Sequence, residues 1–348
     1  MDLEREERIE SRGFIGGVNQ PFYEGIPTFF RAPYVGVEEL SPGDIAVVGA
    51  PFDASITVGR PGARYGPRAI REASCHYTAF YYSIPNRTIV DLENHTVLRI
   101  PDPLRLFDLG DADCYPLDIM ATTRSIAVAV RSVVEKGVLP IVLGGDHYVA
   151  YPAFMGAAEG VAAKHPKAKI GYVHVDSHTD LFDELVSGGR FNHGTAARRI
   201  SELPMVSVPH MVWIGMNGRF VSLEQYEFTR RNNLRILTSA DVNGPDGEEK
   251  VREALQHASN CDFLYVSVDI DVVDGSHASG TGAAVFDGIP AAKLVWLLEE
   301  IGRIDRLLAV DCCEVAPQFD PSGRTARLAA LAFVGLVGER LFVREALP

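Results

Sequence analysis

Apolar residues fall into two rhythms along the chain, and the two rhythms alternate. Short, nearly continuous β-branched runs predict strands over 44–49 (DIAVVG), 105–109, 138–143 (VLPIVL), 169–175 (KIGYVHV), 210–215 (HMVWIG), 234–238, 263–268 (FLYVSV) and 306–310 (RLLAV). Longer segments of helical period predict helices over 67–81, 117–136, 148–160, 222–232, 247–258, 290–302 and 324–343. Strands with no polar face are covered on both sides, so this alternation predicts an α/β domain in three layers around a parallel sheet. Residues 1–42 show no clear period and carry much Gly, Pro and charge. They are expected to form an N-terminal extension that wraps the domain or touches a neighbouring subunit, leaving 43–348 as one domain. Long loops at 50–66, 176–195 and 272–289 interrupt the pattern at strand ends, where loops commonly carry function.

Composition narrows the classes. Of 348 residues, 47% are hydrophobic and 23% charged, as in an ordinary globular protein. The net charge of −13 argues against nucleic-acid or anionic-membrane partners and suits a cationic ligand. The five cysteines are odd in number and form no C-x-x-C pair, which fits a reducing, cytoplasmic setting better than a disulfide framework. The adjacent Cys312 and Cys313 read as small buried residues at a strand end. The charged N-terminus has no apolar signal core, and "ARLAALAFVGLVGERLF" reads as a core helix, not a span.

The chemistry sits where apolar runs end. "LGGDH" ends in His147, "HVDSHTD" carries Asp176, His178 and Asp180, and "SVDIDVVD" carries Asp269 and Asp271. Open parallel sheets bind ligands at the carboxyl ends of their strands. If 176–180 continues its strand, Asp176, His178 and Asp180 share one side, as do Asp269 and Asp271. Four carboxylates gathered there would repel one another unless cations held them. Two divalent ions would balance them. Oxygen-rich ligands with two imidazoles and no thiolate disfavour structural zinc and suit Mn²⁺, with Ni²⁺ second. Two such ions about 3.5–4 Å apart bring a bound water towards ionisation at neutral pH.

These motifs resemble the ureohydrolase family, the arginases and agmatinases. "GAPFD" (49–53) and "RPGARYGPRAIR" (60–71) resemble the agmatinase branch, and "FNHGT" (191–195) and "EVAPQFD…TARLAA" (314–330) follow in the family's order. The resemblance implies an eight-stranded, mostly parallel sheet, a dinuclear metal site and hydrolysis of a guanidino group to urea and an amine. It implies that His147 and His178 bind different ions, that Asp176 and Asp271 bridge, and that Asp180 and Asp269 complete the set. Asp180 would also orient the attacking hydroxide. His193 matches the family's proton shuttle, and Glu314 the acid that grips the guanidinium. A trimer or hexamer is implied, and a mixed assembly with a paralogous chain is the alternative.

Departures from the family text fall in loops. Ser177 replaces an Ala, Gly275 stands where Pro is usual, "GTGAAVFDGIP" (280–290) differs from the common form, and Ala196 and Ala197 follow "HGT". The loss of bulk at 196–197 is expected to widen the pocket. Agmatine or a similar guanidinoalkane is the expected substrate. Guanidinobutyrate, with Arg190 as a carboxylate anchor, guanidine itself, or a substituted guanidine or biguanide such as metformin are the alternatives. His277 is a candidate substrate neighbour. Two further readings are a single-zinc deacetylase of the same fold and a non-catalytic subunit of a ureohydrolase-like assembly.

Overall fold

A computed structural model describes residues 23–53, 57–83, 87–92, 95–186, 188–219 and 221–347. All eight expected strands form: β1 (Ile45–Ala50), β4 (Leu106–Asp111), β5 (Leu139–Gly144), β6 (Ile170–Val175), β7 (Val206–Met216), β8 (Arg235–Thr238), β9 (Phe263–Asp269) and β10 (Leu307–Cys313). They make one sheet in the order β4-β1-β5-β10-β9-β6-β7-β8, and every neighbouring pair is parallel. Around it lie α1 (Gly66–Ser83), α2 (Ile119–Glu135), α3 (Ala150–Ala162), α4 (Ala196–Ser201), α5 (Leu223–Arg231), α6 (Ser239–Asn243), α7 (Gly247–Ala258), α8 (Ala291–Gly302) and α9 (Arg324–Leu341).

Side-chain alternation along the strands divides the core between two faces. On β5, Ile141 and Leu143 join a cluster with residues of α1, α7, α8 and α9, whereas Val142 joins the cluster that holds α2, α3 and Ala197 of α4. These are the three expected layers.

A small antiparallel sheet, β2 (Thr88–Asp91), β3 (Thr96–Arg99) and β11 (Val343–Ala346), was not foreseen. The expected helix over 324–343 stops at Leu341, and the chain turns into β11. Every residue of β11 is exposed, so no apolar alternation marks it in sequence.

Residues 1–22 of the expected extension lie outside the described residues. The part after them packs into the domain. Phe29 and Phe30 are fully buried in the larger cluster. Their backbone N–H groups donate to Asp108 Oδ2 at 2.8 Å and Ser74 Oγ at 2.7 Å.

Candidate metal centre

The four middle strands of the sheet, β5-β10-β9-β6, end at one rim. His147 follows β5, Glu314 follows β10, Asp269 ends β9 with Asp271 just beyond, and Asp176, His178 and Asp180 follow β6. The glycine pair before Asp146 lets the chain turn under the preceding loop. A Cβ on Gly145 would stand 1.7 Å from the Phe52 carbonyl oxygen, so only glycine fits.

The side chains converge by a different local device from the one the spacing suggested. β6 ends at Val175 and β9 at Asp269, so strand alternation does not align the ligands. Instead each motif closes on its own first carboxylate. His178 N donates to Asp176 Oδ1 at 2.6 Å, and Asp271 N donates to Asp269 Oδ1 at 2.8 Å. These are Asx turns, which aspartate forms readily. Asp180 (φ 50°) and Glu314 (φ 65°) both sit in the left-handed region, where non-glycine residues are uncommon and often functional.

The convergence is close. His147 Nδ1 lies 2.9 Å from Asp176 Oδ2, 2.9 Å from Asp180 Oδ2 and 3.2 Å from Asp269 Oδ2. His178 Nδ1 lies 3.4 Å from Asp176 Oδ1 and 3.2 Å from Asp271 Oδ2. Two donor groups meet at Asp176, His147–His174–Asp176–Asp180 and Asp176–His178–Asp271, and a third, His147–Asp311–Cys313, lies behind His147. Asp271 stands with the second group and Asp269 beside the first. Asp271 has its close contact with His178, and Asp176 is common to both groups.

The donors fit cations. His147 Nδ1, Asp176 Oδ2 and Asp271 Oδ1 are buried without a hydrogen bond, although other donors stand about 3 Å away. The atoms aim at a common space and not at each other. Neighbours about 3 Å apart are the edges of an octahedron with bonds of about 2.1 Å. Charge points the same way. Burial, then Asp271 and Asp176, pushes Asp269 well above the usual carboxylate range. Burial works against ionisation of Asp176, yet His174, His147 and His178 hold it well below that range. The four acids are nearly fully buried, and three imidazoles alone do not balance them.

Side chains behind the donors hold them in place. His147 Nε2 meets Ser267 Oγ at 2.9 Å, Ser267 Oγ donates to Asp311 Oδ1 at 2.8 Å, and Tyr265 OH donates to Asp311 Oδ2 at 2.7 Å. His174, expected only as a core residue, lies with Nε2 2.9 Å from Asp176 Oδ2 and Nδ1 2.8 Å from Tyr172 OH. Ser177 Oγ donates to the Asp271 carbonyl at 2.6 Å and ties the β6 motif to the β9 motif. Sequence reasoning missed Ser267, Asp311 and His174 as partners of the ligands. Their one signal was polarity within otherwise apolar strands.

A cavity of about 280 Å³ opens over these groups. All three long loops wall it, through Thr57 and Val58, through Phe182, Leu185 and His193, and through Ala283. Glu314 reaches its floor. Its Oε1 accepts from His147 N at 3.0 Å and from Thr57 Oγ1 at 3.2 Å, a contact no motif announced. Burial first, then Asp269 and Asp146, raises the Glu314 carboxyl well above its ordinary range. Burial lowers the His193 imidazole, with His147 and His178 adding to the effect and Asp180 opposing it.

Other expectations do not reach the cavity. Arg190 is exposed and pairs with Asp183 at 2.7 Å. His277 is exposed and is not part of the wall. Ala196 and Ala197 are fully buried at the start of α4, in the core and not in the pocket, so the small residues there do not widen it. Cys312 and Cys313 point to opposite faces of β10, one into each cluster, and remain free thiols. Adjacent strand residues cannot face each other.

An α/β fold with a buried cluster of acids and imidazoles at its central strand ends defines a metal-dependent hydrolase. The family model described as Arginase family matches residues 43–337, and the chain belongs to that family. It is 32% identical over 312 residues to the guanidinopropionase of Pseudomonas aeruginosa, covering 89% of this chain and 90% of that one. It is 30% identical to the mitochondrial agmatinase of Gallus gallus, over 88% and 83% of the two chains. The solved structure of proclavaminate amidino hydrolase from Streptomyces clavuligerus superposes with a TM-score of 0.74 at 28% identity, covering 92% of this chain and 99% of that one.

Proposed function

We propose that this protein hydrolyses a guanidinoalkane, agmatine or a similar compound, to urea and an amine. One observation carries the reading: unpartnered buried donors converge on a shared Asp176 directly below a cavity that holds Glu314. The guanidinopropionase and agmatinase relatives support guanidino chemistry in general.

His147, Asp176, Asp180 and Asp269 would hold one divalent ion, and His178, Asp176 and Asp271 a second. Mn²⁺ suits the oxygen-rich set, with Ni²⁺ next. Bound ions supply positive charge against the four carboxylates and bring a water to ionisation near neutral pH. The chain's own residues do the rest. Asp180, fixed by its position at the His147 ring, accepts a hydrogen bond from the attacking oxygen and orients it. Glu314 pairs with the planar cation, and a charge-assisted contact there fixes its orientation as well as its location. Its carboxyl needs a cation to stay ionised, which favours a guanidinium over a neutral amide. His193, kept neutral by burial, takes up a proton and delivers it to the leaving nitrogen, which departs poorly unless protonated.

Elemental analysis of the protein loaded with Mn²⁺ or Ni²⁺, combined with a urea-release assay on a panel of guanidino compounds, tests this. Two ions per chain and urea from at least one compound are expected. Full occupancy with no urea from any compound would overturn the reading and favour a non-catalytic subunit.

A further inference from the structure

The outer half of the cavity differs in chemistry from its floor. The acids and imidazoles lie at the strand ends. The remaining walls are Val58, Phe182, Leu185, Met216 and Val221, with Thr57, Ser177, Thr179, Ser222 and Gln225 as uncharged polar groups among them. No lysine or arginine lines the cavity among the described residues.

The cations closest along the chain do not line the cavity. Arg60, two residues after Val58, lies over the Phe319 ring at 4.2 Å. Arg190 pairs with Asp183 at 2.7 Å, and Arg219 pairs with Asp287 at 2.9 Å. A carboxylate carried on the substrate's tail would enter this mouth without a counter-ion among the described residues. Burying an unpaired charge is costly, and the acids of the floor would repel it besides. No carboxylate side chain lines the mouth either, so an ammonium tail finds no partner there. An uncharged alkyl tail loses nothing on entry and buries apolar surface.

We infer that the substrate is a guanidine bearing an uncharged, largely apolar substituent, and that a mouth without lysine or arginine among the described residues disfavours guanidino acids. This rests on the guanidino-hydrolase reading above and moves its expected substrate from agmatine to an alkylguanidine. The guanidinopropionase relative, 32% identical, carries a name that implies the opposite tail, so overall similarity and this mouth point to different substrates.

Tails of matched length separate the possibilities. Mn²⁺-loaded protein is assayed for urea from n-butylguanidine, agmatine and 4-guanidinobutyrate. The kcat/KM for n-butylguanidine is expected to exceed that for 4-guanidinobutyrate by about tenfold or more, and to exceed that for agmatine. A lysine is then placed in the mouth by Val58→Lys, at a side chain 68% exposed, or by Val221→Lys on another wall. In at least one variant the ratio of kcat/KM for 4-guanidinobutyrate to that for n-butylguanidine should rise about tenfold. Preference of the unaltered protein for 4-guanidinobutyrate or agmatine overturns the inference while leaving guanidino hydrolysis intact. So does an unchanged ratio in both variants. Urea from none of the three compounds overturns the underlying reading instead.

Discussion

The imidazole rings of His147 and His174 lie stacked, with centroids 4.7 Å apart and planes 4° from parallel. Each ring brings one nitrogen to 2.9 Å from the same oxygen, Asp176 Oδ2. Tyr172 keeps its proton, since burial raises its hydroxyl well above the ordinary range. Its hydroxyl lies 2.8 Å from His174 Nδ1 and fixes the orientation of the ring beside Asp176. Groups that orient a ligand in this way commonly matter 10–100-fold for metal affinity. Tyr172→Phe should weaken metal binding by about tenfold. Competition with a chelator of known affinity checks this, and a wild-type curve would show that the Tyr172–His174 contact does not matter.

Asp176 joins both donor groups, so its loss should be felt by both. Asp176→Ala is expected to release both ions and to reduce urea formation by roughly a thousandfold or more, since removing one buried partner strands the others. Asp271→Ala should release one ion and retain part of the second. Ion counts per chain by elemental analysis distinguish the two variants. Equal loss in both would give Asp271 a bridging role.

Glu314→Gln keeps the shape and removes the charge. The ligands are untouched, so both ions should stay bound. Losing one partner of a buried charged contact costs about 2–5 kcal/mol, and the loss should be concentrated in kcat/KM for the guanidinium. Retained activity with full metal would remove Glu314 as the substrate anchor.

Burial and the nearby imidazoles lower the His193 pKa, with Asp180 opposing, so the ring is neutral at pH 7. The sign for activity follows. The proton-accepting form is complete above the lowered pKa and is lost as pH falls through it. The acid limb of kcat/KM should therefore lie below the ordinary histidine range of about 6.5. His193→Ala should abolish that limb and slow turnover with both ions in place. An acid limb that survives the substitution assigns it to another group.

Gly145 supports the site from below. Gly145→Ala sets a methyl against the Phe52 carbonyl, and a backbone atom cannot swing aside. The variant should lose about 1–3 kcal/mol or more of stability, together with metal affinity, because His147 lies two residues on. Thermal unfolding with and without Mn²⁺ reads both effects. An unchanged melting temperature would mean that the turn relaxes freely.

The eight core strands were legible because strands buried on both faces write a continuous apolar run. Val142, Val173 and Val266 announce themselves in this way. β11 was not legible, because Val343–Ala346 is exposed and its pairing with β3 is decided by a distant segment. Among site residues, the six expected ligands stood out as polar groups at the ends of apolar runs. Ser267 and Asp311 stand inside such runs and looked like ordinary interruptions. Arg190 looked available in sequence, but Asp183, seven residues earlier, engages it.

The sequence alone determined the layered α/β architecture and the kinds of donor atom available, because periodicity and residue type are local properties. It also placed each donor at a strand end. Only the tertiary structure decided that β5, β10, β9 and β6 stand side by side, and that Asp176 is the acid shared by both donor groups. It likewise decided that no lysine or arginine lines the cavity among the described residues. Those facts depend on strand order, loop path and which charges pair, and each of these is settled by contacts between residues far apart in the chain.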